Sequence, residues 1–250
     1  MTMKANVLIT GSSRGIGAAT AKLFAEQGYG VCINYLQNAA AANQVVEEVK
    51  AFGVSCFSFQ ADVSVEDDVM RLFEAVDREF GTLHSLVNNA GILLPQSRLL
   101  DINAQRINKL LTANVTSCFL CSREAVKRMS TKLGGAGGTI VNVSSIAATL
   151  GGPNEYTDYA ATKGAIDTFT RGLALEVAAE GIRVNAVRPG IIDTEIHADG
   201  GEPGRVKRLG PTVPMQRGGT ADEVAEAIYW LASEKSSYTT GTFIDITGGR

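Results

Sequence analysis

Short runs rich in β-branched residues alternate with longer segments of helical spacing along the whole chain, and this alternation leaves few folds open. The strand-like runs fall at 6–10, 31–35, 55–60, 85–88, 139–143, 183–187 and 242–246. A strand that leads into a helix and then into another strand is a βαβ unit, and its repetition builds a parallel sheet. The chain therefore predicts an α/β fold, a doubly wound parallel sheet of about seven strands with helices on both faces. Between strands, Val65, Val69, Leu72, Phe73, Val76 and Phe80 keep helical spacing. Ser64 with Asp67 predicts a capping box at the start of that helix, and Thr220 with Glu223 predicts one for the last helix. The Gly-rich stretch 134–138 reads as a helix-to-strand turn.

No linker or repeat interrupts the pattern, and at 250 residues with 45% hydrophobic content the chain reads as one domain over residues 1–250. A net charge of −3, from 23 Lys+Arg against 26 Asp+Glu, offers no basic stripe for nucleic acid and no polybasic membrane patch. No apolar run nears the ~20 residues that cross a bilayer. The chain enters a strand by Val7 without a signal-peptide core, so a cytoplasmic location is expected. Cys32, Cys56, Cys118 and Cys121 are too scattered for a disulfide framework. Cys118 and Cys121 lie in an apolar helical pattern without a second ligand pair and read as core, and no His/Cys/carboxylate cluster has metal-ligand spacing, so no metal is expected.

The first strand runs into Thr10-Gly11-Ser12-Ser13-Arg14-Gly15-Ile16-Gly17 and then a helix. Glycines allow a tight turn and close approach to a pyrophosphate, and free N–H groups at the helix N-terminus attract its charge. The spacing is GxxxGxG, not the commoner GxGxxG. The second strand ends in Asn34, Tyr35 and Leu36, with no carboxylate where NAD-binding folds hold the ribose 2′-OH, and Arg14 stands in the turn. A partly positive pocket suits a 2′-phosphate, so NADP(H) is favoured over NAD(H).

Tyr159 and Lys163 are four apart on a predicted helix, a spacing that puts both on one face about 5–6 Å apart at Cβ. A neighbouring ammonium favours the ionised phenol and pulls its pKa down from ~10, which equips Tyr159 as a general acid or base. Ser145 ends a strand, where ligands bind in such sheets, and can hydrogen-bond a substrate carbonyl. Ser144 is the alternative, and Ser145 is preferred. Tyr156 lies nearby but has no Lys four residues on. Asn114 falls inside a continuous helical pattern around Leu110 to Leu120.

Thr10 to Gly17, Asn88-Asn89-Ala90-Gly91, Asn114, Ser144-Ser145, Tyr159-x-x-x-Lys163 and Pro189-Gly190 follow one another along essentially the whole chain. In that order and approximate spacing they resemble the classical short-chain dehydrogenases/reductases, whose fold is Rossmann-like. The resemblance implies that Gly11, Ser13, Arg14, Gly15, Ile16 and Gly17 hold the cofactor pyrophosphate, with Tyr35 at the cofactor pocket and Asp62-Val63 at the adenine. It implies that Asn89, Ala90 and Gly91 line the adenine-side ribose. Pro189, Gly190, Ile192 and Thr194 would meet the nicotinamide carboxamide. Lys163 would also grip the nicotinamide ribose beside Tyr159, and Asn114 would anchor a water that relays protons to Lys163. The Ser-to-Tyr spacing is one residue longer than is usual in the family.

The Gly-, Pro- and charge-rich segment 191–215 is expected to be a substrate loop or lid. His197 inside it could touch substrate, but a lone exposed loop histidine more often has no role. The expected activity is interconversion of a carbonyl and an alcohol on a small molecule. The alternatives are a 3-oxoacyl-thioester reductase, a glucose-type sugar 1-dehydrogenase or, in another class, a non-catalytic cofactor-sensing regulator. Leu175 stands where carrier-protein ketoacyl reductases often have a basic residue, which weighs against a dedicated acidic carrier partner. The resemblance also implies a homotetramer or homodimer.

Overall fold

The computed structural model describes residues 5–250, so the first four residues of the expected domain lie outside the described residues. In chain order the elements are β1 (Asn6–Ile9), α1 (Gly15–Glu26), β2 (Gly30–Tyr35), α2 (Ala39–Lys50), β3 (Cys56–Gln60), α3 (Glu66–Phe80), β4 (Ser85–Asn88), α4 (Ala104–Leu111), α5 (Ser117–Met129), β5 (Gly138–Val143), α6 (Ala147–Leu150), α7 (Thr157–Val177), β6 (Ile182–Pro189), α8 (Ile196–Asp199), α9 (Arg205–Leu209), α10 (Ala221–Ala232) and β7 (Phe243–Ile246). The seven strands form one parallel sheet in the order β3-β2-β1-β4-β5-β6-β7. The winding reverses between β1 and β4, and the crevice outside the carboxyl ends of these strands is where such sheets hold ligands.

Alternation along each strand divides the core in two. Val7, Ile9, Val31, Ile33, Val87 and Val141 face α1, α2 and α10, packing on Phe24, Val45 and Ile228. Leu8, Cys32, Leu86, Ile140 and Val184 face α3, α5 and α7, packing on Leu72, Phe73 and Met129. Each fully buried Leu, Ile or Phe of this kind contributes roughly 1.5–3 kcal/mol relative to exposure. With both faces covered, the sheet is rigid enough to hold residues at its carboxyl edge in fixed positions.

Three local expectations meet different outcomes. Thr220 and Glu223 form a full capping box at α10, as their spacing predicts. Ser64 does not cap α3: Val65 is the N-cap, and the Ser64 hydroxyl donates to Asp62 Oδ1 at 2.6 Å. Glu66, Asp67 and Asp68 in the first turn serve the helix dipole instead. The helical pattern expected around Asn114 runs on from α4 to α5 in helical backbone, but through a π turn at Thr112–Thr116. One extra residue in that turn carries Asn114 inward, and it is 2% exposed instead of lying on a half-exposed face.

Candidate active site

The turn after β1 is fixed from both sides. Gly11 and Gly15 have φ of +61° and +55°, a region that side chains strain to adopt. The Gly11 N–H donates to Asn34 Oδ1 at 3.1 Å, and the Asn34 amide donates to the Ala61 carbonyl at 3.1 Å. Asn34, which motif spacing does not single out, thus ties the turn to the end of β3. Asn89 Nδ2 donates to the Thr10 and Gly11 carbonyls at 2.9 and 3.0 Å, and Thr10 Oγ1 accepts from the Asn89 and Ala90 N–H groups. A Cβ on Gly17 would lie 2.6 Å from Asn89 Nδ2 and 2.7 Å from the Gly11 carbonyl, so only glycine fits there.

No side chain caps the N-terminus of α1, whose first N–H groups are left for a ligand. The cleft beside it is lined by Gly11, Ser13, Arg14, Gly15, Ile16, Tyr35, Asp62, Val63, Asn89, Ala90 and Gly91, with a volume of about 590 Å³. An uncapped helix start, a glycine turn held at positive φ and an elongated cleft fit a dinucleotide. Arg14 lies at the cleft wall in an ion pair with Asp199 of α8, both partly exposed. Gly17, like Thr10 and Ser12, does not line the cleft; it packs behind the turn.

A second cleft, of about 350 Å³, shares Ile16, Asn89, Gly91, Thr194 and Ile196 with the first. Its walls include Ser145, Tyr159, Lys163, Pro189, Gly190, Ile192 and Thr194. Three elements bring the reactive groups here: Ser145 follows β5, Tyr159 and Lys163 come from the first two turns of α7, and Pro189 ends β6. The start of α7 is pinned by Asp158, which takes the Tyr159 N–H at 2.9 Å and pairs with Arg106 of α4.

The two serines separate by partner. Ser144 is buried and its hydroxyl donates to Asp167 Oδ1 at 2.6 Å, and Asp167 is held in turn by Arg188 at 2.8 Å. Both serines line the cleft, but it is Ser145 that accepts the Ala147 N–H at 3.1 Å and favours ionisation of the Tyr159 phenol. Burial nonetheless outweighs Ser145 and pushes the phenol up to about 12. The phenol is therefore raised, and not lowered as the Tyr159–Lys163 spacing suggests. The ammonium donates to the Val143 carbonyl at 2.7 Å and stands 5.6 Å from the Tyr159 ring centre, and burial lowers its pKa to about 8.

Asn114 does not line either cleft. Its Oδ1 accepts the Ile92 N–H at 2.7 Å, and its amide donates to the Ile92 carbonyl and to Thr162 Oγ1, both at 3.1 Å. The π turn therefore clamps the chain after β4 against α7, next to Lys163. A Cβ on Gly91 would sit 3.2 Å from Asn114 Oδ1 and 3.6 Å from Lys163 Nζ, so the small residue lets the two approach.

The segment 191–215 contributes Ile191, Ile192, Thr194, Ile196, His197 and Arg205 to the cleft lining and is partly helical, with α8 and α9 inside it. His197, expected to be exposed, is 8% exposed and lines the cleft. Its Nε2 meets the Ile192 carbonyl at 2.9 Å, and burial lowers its pKa. Tyr156 and Arg205 line the cleft too, with the guanidinium 5.0 Å from the ring centre and paired with Glu155 and Glu202 at 2.6 and 2.8 Å. Nothing in residue spacing marks these three; only the tertiary fold collects them. Burial pushes the Cys118 thiol up to about 12 and Cys121 well up, as suits core residues. Among the described residues no group of His, Cys, Asp and Glu could hold a metal ion, and no helix is long and apolar enough to cross a membrane.

Residues 11–250 match the family described as enoyl-(acyl carrier protein) reductase. An uncharacterized oxidoreductase, YgfF, of Escherichia coli strain K12 is 59% identical over 97% of this chain and 98% of its own. The 3-oxoacyl-[acyl-carrier-protein] reductase FabG of Staphylococcus aureus strain Mu50 is 36% identical over 100% and 99%. Among solved structures, a short chain dehydrogenase from Burkholderia cenocepacia J2315 in complex with NADP superposes with a TM-score of 0.90 at 32% identity, covering 100% of this chain and 99% of that one. An NAD+-bound xylitol dehydrogenase gives 0.89 at 31%, covering 100% of both. A glycine turn, an uncapped helix start and a Ser-Tyr-Lys cluster on this sheet, with relatives similar over full length, place the chain in the classical short-chain dehydrogenase/reductase family, as an oxidoreductase of CH–OH donors with NAD(P).

Proposed function

We propose that the protein interconverts a carbonyl and an alcohol on a small molecule, with NADP(H) preferred to NAD(H). The observation that carries this reading is the meeting of Ser145, Tyr159 and Lys163 in a cleft continuous with the glycine-turn cleft. When bound, the nicotinamide cofactor supplies or accepts the hydride. In reduction Ser145 donates a hydrogen bond to the substrate carbonyl oxygen, and the Tyr159 phenol gives that oxygen its proton; in oxidation the same proton returns. The Lys163 ammonium offsets negative charge developing on Tyr159 and donates to the nicotinamide ribose. Asn114 holds Ile92 against α7 beside Lys163, and Oδ1, with one acceptor bond recorded, keeps a lone pair for a relay water.

Gly11, Ser13, Gly15, Ile16 and Gly17 form the pyrophosphate cradle, Asp62 and Val63 the adenine wall, and Asn89, Ala90 and Gly91 the ribose floor. Pro189, Gly190, Ile192 and Thr194 meet the carboxamide. The NADP(H) preference is supported by Arg14 at the wall and by the absence of a carboxylate in Tyr35, Leu36, Gln37 and Asn38, which line the same cleft. The neighbouring structures contain NADP in one case and NAD+ in the other. Four free cysteines accord with a reducing cytoplasm. Phe119, 47% exposed and stacked on Phe169 at 3.8 Å, gives α5 and α7 an apolar face suited to a homotetramer or homodimer.

A 3-oxoacyl thioester is the second reading, favoured by the likeness to FabG. Against a dedicated acidic carrier stands Leu175, 83% exposed on α7 where a basic residue would be wanted. The test is a panel of ketones, sugars and 3-oxoacyl esters followed at the NADPH absorbance, with NADH in parallel. Turnover of one class with NADPH ahead of NADH supports the reading, and nucleotide binding without any carbonyl turnover overturns it.

A further inference from the structure

We infer that Tyr156 and His197 form a subsite for a hydroxyl group, so that the substrate is a hydroxylated carbonyl compound or the matching polyol. The inference rests on the carbonyl–alcohol reading above and narrows its substrate class.

Among the described residues three buried side-chain polar atoms lack a hydrogen-bond partner: Tyr156 Oη, His197 Nδ1 and Thr157 Oγ1. Two of them belong to residues that line the cleft holding Ser145 and Tyr159. Buried polar atoms are rarely left unpaired, because each forfeits its hydrogen bonds to water without replacement. Two such atoms on residues of one cleft wall are therefore a signal for a ligand group. Gln96, which donates to Glu202 at 2.6 Å, also stands beside the Tyr156 phenol with a second N–H, so the unpaired ring nitrogen of His197 is the firmer of the two signals.

The hydrogen-bonding sense of His197 selects the ligand group. Its Nε2 faces the Ile192 carbonyl at 2.9 Å, and a carbonyl can only accept, so Nε2 carries the hydrogen. In the neutral ring Nδ1 is then a bare acceptor. Burial holds the ring neutral and outweighs the Ile192 hydrogen bond, which favours the charged form; the Arg205 charge adds to burial, and Glu202 and Asp193 oppose it more weakly. An acceptor at His197 needs a donor from the substrate, and among simple oxygen groups a hydroxyl supplies one where a keto, ester or thioester oxygen does not. Tyr156 Oη can give or take a hydrogen bond and so accommodates the same kind of group.

Arg205, the cation packed on the Tyr156 ring, is neutralised by Glu155 and Glu202, so beside the subsite it offers no unpaired positive charge; Lys163 and Arg250 also line the cleft. The remaining wall is apolar at Leu93, Ile146, Leu150 and Ile191. A cleft of about 350 Å³ with this lining suits a small molecule having both carbon surface and hydroxyl groups.

The test compares kcat/KM for a series of hydroxyketones, with the hydroxyl one to four carbons from the carbonyl, against the deoxy ketone of each skeleton. It uses the full chain, Tyr156→Phe and His197→Leu, with 3-oxoacyl esters in parallel. Tyr156→Phe removes a single oxygen and guards against misfolding of the second variant. The expected result is a preference of about tenfold or more for at least one hydroxyketone, falling to within about twofold in both variants. A wild-type ratio near one, or a preference that survives both substitutions, overturns the inference. Turnover confined to 3-oxoacyl esters overturns it too, while leaving the oxidoreductase reading intact. No turnover of any carbonyl overturns both.

Discussion

The ammonium of Lys163 donates to the carbonyl oxygen of Val143 at 2.7 Å and stands 5.6 Å from the centre of the Tyr159 ring. The lysine is thus held by the end of β5, not by the phenol. Burial then moves the two groups in opposite directions, Tyr159 up to about 12 and Lys163 down to about 8. The phenol stays protonated throughout the neutral range, which suits a proton donor in carbonyl reduction.

It follows that Lys163 sets the alkaline limit of reduction. kcat/KM for reduction is expected to be level near neutrality and to fall about tenfold per pH unit once Lys163 loses its proton, above about pH 8. A pH profile with a saturating cofactor reads this directly, and a rate that stays level to about pH 10 excludes Lys163 as the controlling group.

The same depressed value predicts a stability effect. Between about pH 8 and the ordinary lysine value of 10.5 the unfolded chain binds a proton that the native state lacks, so native stability rises with pH across that window. Below pH 8 the burial penalty is fully present. Lys163→Met is expected to be inactive yet more stable at pH 7 by about 1–3 kcal/mol, with the gain shrinking from pH 8 to 10.5. Urea unfolding at several pH values measures it; a constant difference contradicts the shift.

Arg14 and Asp199 connect the cofactor turn to α8. Arg14→Ala is expected to raise the KM for NADPH by about tenfold and that for NADH far less, as loss of a phosphate contact would. Asp199→Asn frees the guanidinium, and because the pair is partly exposed the NADPH KM should drop by only about two- to fivefold. Equal effects on both cofactors in steady-state kinetics would remove Arg14 from the 2′-phosphate site.

Asn114 bridges Ile92 and Thr162 with both ends of its amide. Asn114→Ala leaves these buried partners unsatisfied, at about 1–3 kcal/mol, and should lower Tm by several degrees together with kcat. A loss of kcat with Tm unchanged would mean that the residue acts on proton transfer alone.

Much of this arrangement is legible in the sequence because it depends on local rules. Strand alternation, the glycine turn, the Thr220 capping box and the Tyr159–Lys163 spacing each follow from periodicity or backbone geometry within a few residues. Where long-range contacts decide, the sequence is silent or misleading. Ser64 obeys the capping pattern, yet Asp62 takes its hydroxyl. Asn114 keeps helical spacing, yet a π turn carries it inward. His197 reads as a loop residue because its burial comes from the Ile192 carbonyl and the cleft wall, which are set by the path of the chain after β6. Asn34 carries no motif, although it fastens the glycine turn to β3.

The proton donor is the centre of the proposed chemistry, and Tyr159→Phe removes that proton with little change of shape. Steady-state reduction at the NADPH absorbance, paired with titration of NADPH binding, should show turnover down by at least about 10²- to 10⁴-fold with binding within a few-fold of wild type. Retained turnover in a variant that binds NADPH normally would show that another group moves the proton.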